Sequence, residues 1–300
     1  MTYDPEKKEE KSVFGVIVHS FFVVPFLIAV FFILLFTGVK ILTAEKQTIY
    51  DYLNDVKNGG ASKRWQSAFK LAQYLSQKAS VAGDERFDAE LIHAFHQSKN
   101  DDDRVRQYLA LAMARTGKEK FVDPLLSALK DEKEENVCAL IYALGSLKAK
   151  RAVPLISTFL SHSSAKIRSG AAAALGTIGD PQAISFLKKA LNDSEPNVQW
   201  GSSISLAMMH DGSGREILLN LLNRQYLSKF PELDPEEQND LIVLAIEGAS
   251  QLNDPRLQEA VQKLAQSDPN MNVRKLAMEK IKGRDALQCV STNRDSYEFR

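Results

Sequence analysis

Residues 165–191 read AKIRSGAAAALGTIGDPQAISFLKKAL. Ile167, Leu175 and Ile178 fall on one stripe of a helix with 3.6 residues per turn. Gly179 then offers a residue free to turn left-handed and end that helix. Asp180-Pro181 supplies a side-chain cap followed by a proline at the first position of a second helix. In that second helix Leu187 and Leu191 stand four apart, hence on one face. The stretch is therefore a helical hairpin with a tight turn. Alone, such a hairpin cannot bury its apolar faces; stacked copies can.

The copies are present. Anchored on Gly176, the pattern recurs without gaps at Ala114, Gly145 and Ala207, and the steps between these positions are all equal. One position before the anchors stand Met113, Leu144, Leu175 and Leu206; nine before stand Val105, Asn136, Ile167 and Val198. The second helices align Leu125, Ile156, Leu187 and Leu218, and again Leu129, Leu160, Leu191 and Leu222. Ser250 takes the anchor position after Ala207, at one period plus an insertion. Asp254-Pro255 opens a helix as Asp180-Pro181 does, and Asp234-Pro235 with Glu237 fits a capping box. A longer, less regular pair precedes the array. The expectation is an all-α protein: an α-solenoid of about six hairpins and a closing helix over 62–283, with an insertion near 224–235. No period-two apolar run follows Ile41, so no strand is expected.

These residues carry a resemblance. The pattern V-R-x-x-A-x-x-A-L-G-x-I-G-D-P of the bacterial HEAT-like repeats, first associated with phycobilisome lyases, is matched from Ile167 to Pro181. The resemblance implies that the second helices line the concave side of the array. For function it leaves two directions open, because one repeat architecture hosts many tasks. HEAT-like enzymes such as deoxyhypusine hydroxylase bind iron through His-Glu dipeptides, and this sequence has none. Bilin lyases resemble it through the repeats, but the segment before the array departs from their pattern.

That segment runs from Val13 to Val39 without a charge and holds seven of the 15 Phe. A bilayer core of about 30 Å takes roughly 20 apolar residues in a helix. The run is too long for the h-region of a signal peptide, and Leu42-Thr43-Ala44 is a poor cleavage site. A single transmembrane helix over 13–42 is expected, with a kink at Pro25, after a polar tail 1–12 and before a connecting segment 43–61. Lys7, Lys8 and Lys11 before the span outweigh Lys40 and Lys46 after it, which leans to an inside N-terminus in a bacterial cytoplasmic membrane. The closing segment 284–300 lacks periodicity and is expected to be disordered.

Composition narrows the chemistry. Lys+Arg and Asp+Glu are 38 each, so the chain lacks the basic excess of a nucleic-acid binder. Two cysteines make no disulfide framework. His93 and His96 are three apart on a helix, but a metal needs three or four ligands and no recurrent carboxylate joins them. Asp101–Asp103 and Asp131–Glu135 read as solvated turns, and Cys138 shares a mostly polar column with Gln107, Ser169 and Trp200. There is no glycine-rich phosphate loop and no G-x-S-x-G elbow.

The expectation is thus a membrane-anchored scaffold or adaptor that binds a protein partner, not an enzyme, with no cofactor and no nucleic acid. The alternative is a lyase-like enzyme or its accessory subunit. Two candidate surfaces follow. The first is a polar strip on the second helices: Asp123, Ser127, Thr158, Ser185, Lys188, Lys189, Glu216 and Asn220. The second is the insertion, with Tyr226, Leu227, Phe230 and Leu233. Long connections in compact arrays often carry function.

Overall fold

A computed structural model of the chain describes residues 19–43, 47–77 and 84–295, which form helices and turns and, among the described residues, no strand. Residues 1–18, with the three lysines that set the orientation expectation, lie outside them, as do Lys46 and residues 296–300. The chain divides into two units, Met1–Thr48 and Ile49–Arg300.

In the first unit a π turn, His19–Val23, leads into helix α1, Val24–Thr43. Phe21–Val39, 19 residues, is the one described helical stretch long and apolar enough to cross a membrane, and none of it is buried. Pro25 does not sit mid-helix as expected. It is the second residue of α1, directly after the π turn, so the N–H that its ring lacks falls where the irregular turn gives way to the regular ladder.

The second unit begins with α2, Ile49–Asn58, in the segment expected to be a connector. Leu53 and Val56 are buried, so this helix is part of the array's first core. Six hairpins follow among the described residues: α3 (Ala61–Gln77) with α4 (Glu85–Gln97), α5 (Asp103–Thr116) with α6 (Val122–Leu129), α7 (Glu134–Ser146) with α8 (Val153–Thr158), α9 (Ala165–Ile178) with α10 (Ile184–Ala190), α11 (Pro196–Met208) with α12 (Arg215–Leu221), and, after the one-turn α13 (Arg224–Leu227), α14 (Pro235–Ser250) with α15 (Pro255–Ser267). The closing helix α16 runs Met271–Asp295. It passes through the first part of the segment expected to be disordered. Nothing between Arg284 and Asp295 is Gly or Pro, and extending a docked helix adds a hydrogen bond per residue.

Each first helix packs on the next: α3 on α5, α5 on α7, α7 on α9, α9 on α11, α11 on α14, α14 on α16. Small residues let them approach. A Cβ on Gly145 would stand 3.1 Å from Ala174 Cα; one on Gly176 would meet Ser205 Oγ at 2.3 Å and its Cα at 2.9 Å. One on Gly248 would stand 3.2 Å from Ala207 Cβ, so the same register holds across the insertion. Met113, Leu144, Leu175 and Leu206 are all fully buried, as are Leu125, Ile156, Leu187 and Leu218.

The caps are those the sequence signals. Asp180, Asp234 and Asp254 accept from backbone N–H groups of the helices they open, and Asp234 with Glu237 forms a complete capping box. The turn after each of the four first helices α5, α7, α9 and α11 carries one left-handed residue: Gly117 (φ +67°), Lys148 (φ +50°), Gly179 (φ +70°) and His210 (φ +61°). Glycine tolerates that conformation without strain; Lys148 and His210 do not.

Two glycines of α9 give a paired test. Gly176→Ala should lower stability by about 1–3 kcal/mol, because the methyl collides with the backbone of α11. Gly170 faces open space apart from Cys138 Sγ at 4.0 Å. Gly170→Ala should instead raise stability by about 0.5–1 kcal/mol through helix propensity. Chemical denaturation of both variants checks the sign of each change.

Candidate functional site

The second helices carry the polar strip. All eight of its residues, Asp123, Ser127, Thr158, Ser185, Lys188, Lys189, Glu216 and Asn220, are exposed. Most of its charge is already engaged between neighbouring repeats. Arg151 reaches back to Glu119 (3.0 Å) and Asp123 (2.9 Å). Lys188 pairs with Asp211 at 2.8 Å, and Glu216 with Arg256 at 2.6 Å. Hydrogen bonding to Arg256 holds the Glu216 carboxyl below its usual range. For Asp211, burial works upward, but hydrogen bonds from Lys188 and Ser213 prevail and its carboxyl is held low.

The structure brings Thr158 and Lys189 into one groove of about 840 Å³ between the second helices of adjacent repeats. Pro154, Phe186 and His162 share its wall. A smaller groove of about 430 Å³ lies between α12 and α15, lined by Leu219, Arg224 and Lys263.

At the base of the larger groove an arginine joins two successive loops. Arg168 Nε and Nη2 each donate to Asp193 at 2.8 Å, and Nη1 donates to the carbonyls of His162 and Ser163. The bidentate arginine holds the Asp193 carboxyl below its usual range. Arg106 plays the same part earlier in the array: it pairs with Glu132 and donates to Phe95 O, both charged side chains being almost wholly buried. Arg224 pairs with Asp268 at 2.7 Å. The acidic run 131–135 is therefore not simply a solvated turn, since Glu132 is spent on Arg106. Asp102 caps α5, and hydrogen bonds from Arg104 hold its carboxyl down to about 2.

The insertion packs inward. Leu227 is fully buried, and Tyr226, Phe230 and Leu233 lie against the C-terminal core. Trp200 meets Phe230 edge-on at 4.9 Å and Tyr226 at 6.4 Å. Burying these aromatics fills the space that the extra length opens beside α11, so they offer a partner little apolar surface.

Cys138 is half-buried, and burial pushes its thiol up, away from the reactive thiolate. His93 and His96 are exposed on α4. Among the described residues no three His, Cys, Asp or Glu side chains gather as metal ligands.

Against known proteins, the family model described as HEAT repeats matches residues 89–158 and 153–226. The bilin biosynthesis protein PecE of Mastigocladus laminosus is 28% identical over 164 residues, 54% of this chain and 57% of its own. PecE of Nostoc sp. strain PCC 7120 is 28% identical over 178 residues, 59% of this chain and 66% of its own. The chain thus spans less than two thirds of the length of these relatives. Among solved structures, the complex of CpcE and CpcF of phycocyanin lyase from Nostoc sp. PCC7120 matches with a TM-score of 0.54 at 18% identity, over 79% of this chain and 96% of that one. At that identity the likeness shows the fold. The expectation that the protein is not an enzyme is corrected by the relatives' names, which point to an enzyme-related role and favour the lyase-like alternative over the scaffold.

The carboxylates held low by arginine set a pH response. Each is ionised in the folded state to lower pH than in the unfolded chain, so its contribution is complete above the ordinary carboxylate range and is lost as pH falls through the depressed value. The thermal midpoint should stay level from neutral pH to about pH 5 and drop below about pH 4. Asp193→Asn should lower the neutral-pH midpoint and make the acid drop shallower in a thermal melt series.

Proposed function

From a HEAT-repeat solenoid that resembles phycocyanin lyase subunits, we propose a lyase-like subunit that works on a bilin together with a second protein, held at a membrane by the helix around Phe21–Val39. The alignment with two bilin biosynthesis proteins across the repeats carries this reading. It is supported by the related CpcE, which occurs in complex with CpcF. A solenoid suits such a role, since stacked repeats present an extended face without needing an enclosed pocket. The second helices would supply that face, with their grooves between repeats for a ligand and their exposed polar strip for a partner.

The membrane part is supported by length and composition. Nineteen residues rising about 1.5 Å each nearly match a hydrocarbon core of about 30 Å. The sequence around Phe21–Val39 fits a retained anchor better than a cleaved leader, with the N-terminus inside.

Two measurements test the proposal. The full chain, purified in mild detergent together with whatever co-purifies, is mixed with a free bilin. The visible absorption of the bilin should sharpen and shift; an unchanged spectrum with and without the co-purifying protein would overturn the bilin reading. A chain that starts at Glu45 should leave carbonate-washed membranes and remain helical by circular dichroism. Its retention in those membranes would assign attachment to the solenoid instead.

A further inference from the structure

The groove between α8 and α10 and its counterpart between α12 and α15 each hold one arginine–carboxylate pair and one lysine without an ion pair among the described residues, Lys189 here and Lys263 there; they differ in the polar groups beside that lysine. Three charged residues line the groove between α8 and α10: Arg168, Asp193 and Lys189. Arg168 and Asp193 satisfy each other, and Asp193 also accepts from the Glu195 N–H at 2.9 Å. Lys188 next door is committed to Asp211. The groove is left with one uncompensated positive charge, that of Lys189.

Two more polar residues line it, His162 and Ser157. His162 Nδ1 accepts from the Ser164 N–H at 3.1 Å, so a neutral ring carries its proton on Nε2 and presents a donor. Phe159 stacks on the ring at 6.2 Å and fixes its plane. Ser157 lines the groove, is only 6% exposed, and its hydroxyl has no hydrogen-bond partner in the protein. A buried polar group without a partner is uncommon in a folded chain, and a water or a ligand atom can complete its bonding. In the smaller groove the position two repeat periods on from Ser157 is Leu219, which has no hydroxyl.

The rest of the wall is mixed, with an apolar stretch of Pro154, Leu160 and Phe186, the last 40% exposed, beside the polar Thr158, Ser161, Asn192 and Ser194. A lone cation, a fixed N–H donor and a free hydroxyl beside that apolar stretch suit an oxyanion carried on an apolar body. We propose that this groove binds a small molecule with a carboxylate or phosphate group, the oxyanion held by Lys189, His162 and Ser157 and the apolar part lying on Phe186 and Pro154. The assignment rests on these side chains alone and stands apart from the bilin reading.

The test uses the full chain in lipid nanodiscs, with empty nanodiscs as blank, and four probes in saturation-transfer NMR: benzoate, phenyl phosphate, benzyl alcohol and benzylamine. Benzoate or phenyl phosphate, or both, should bind saturably, with benzyl alcohol weaker and benzylamine not bound. A preference between the first two assigns the oxyanion. Lys189→Glu should weaken the anionic probe at least tenfold while Lys189→Arg retains it, and Ser157→Val should weaken it severalfold. Lys263→Glu, in the neighbouring groove, should leave it unchanged. Circular dichroism melts confirm that each variant is folded, with Lys189→Arg guarding against a loss of structure. Equal binding of benzylamine, undiminished binding by Lys189→Glu, equal loss in Lys263→Glu, or no binding of either anion would overturn the proposal.

Discussion

Everything in the array depends on how closely one first helix can approach the next. At Gly145 against Ala174, Gly176 against Ser205 and Gly248 against Ala207 there is no room for a side chain larger than the one present. That approach brings Leu144, Leu175 and Leu206 into a continuous buried column and sets the distance between second helices. Area burial does the stabilising, at roughly 25 cal/mol per Å² of apolar surface. The small residues decide the geometry in which that burial occurs. Arginines then tie the far ends of the repeats, so that a loop moves only with the loop after it.

The grooves follow from the same spacing. Second helices are short, and those of neighbouring repeats lie against each other less fully than the first helices do. A gap lined by their exposed faces is the natural result, and it differs in size and chemistry between the two places described, about 840 Å³ between α8 and α10 and about 430 Å³ between α12 and α15. Between α8 and α10 the unpaired Lys189 is joined by His162 and the unpartnered Ser157 hydroxyl; between α12 and α15 the unpaired Lys263 has no such companions. A fold can thus be rigidly repetitive and still hold one distinctive position.

What the sequence showed, it showed through local rules. The repeat period, Gly179, the Asp-Pro starts and the Asp234–Glu237 box are all readable because helix stripes and caps involve residues within a few positions of one another. Lys148 and His210 escaped notice because neither is a glycine, although Gly117 and Gly179 hold the same place in other units. The arginine stitches were hidden for a different reason. Arg168 and Asp193 lie 25 residues apart, at the start and the end of one repeat, and only the fold makes them neighbours. The Arg of the V-R pattern was the available signal. For the insertion, composition suggested apolar residues but could not say that Trp200 would receive them. The residues of the strip are exposed, and its ion pairs between repeats depend on stacking. The lyase-like alternative rested on the repeat resemblance from Ile167 to Pro181 alone, since no arrangement of side chains in the sequence announces it, and the relatives' names are what favour it.

The equal spacing has a consequence for descent. First helices begin at Asp103, Glu134, Ala165 and Pro196, and second helices at Val122, Val153, Ile184 and Arg215, so every unit presents to its successor much the same face that it receives from its predecessor. A gene encoding such an array can gain or lose a whole unit by misaligned recombination without exposing a core. Lineages of this protein can therefore differ in length by whole repeats, whereas the stretch from Asn223 to Asp234, which has no equivalent elsewhere in the array, behaves as a scar that such exchange must step around.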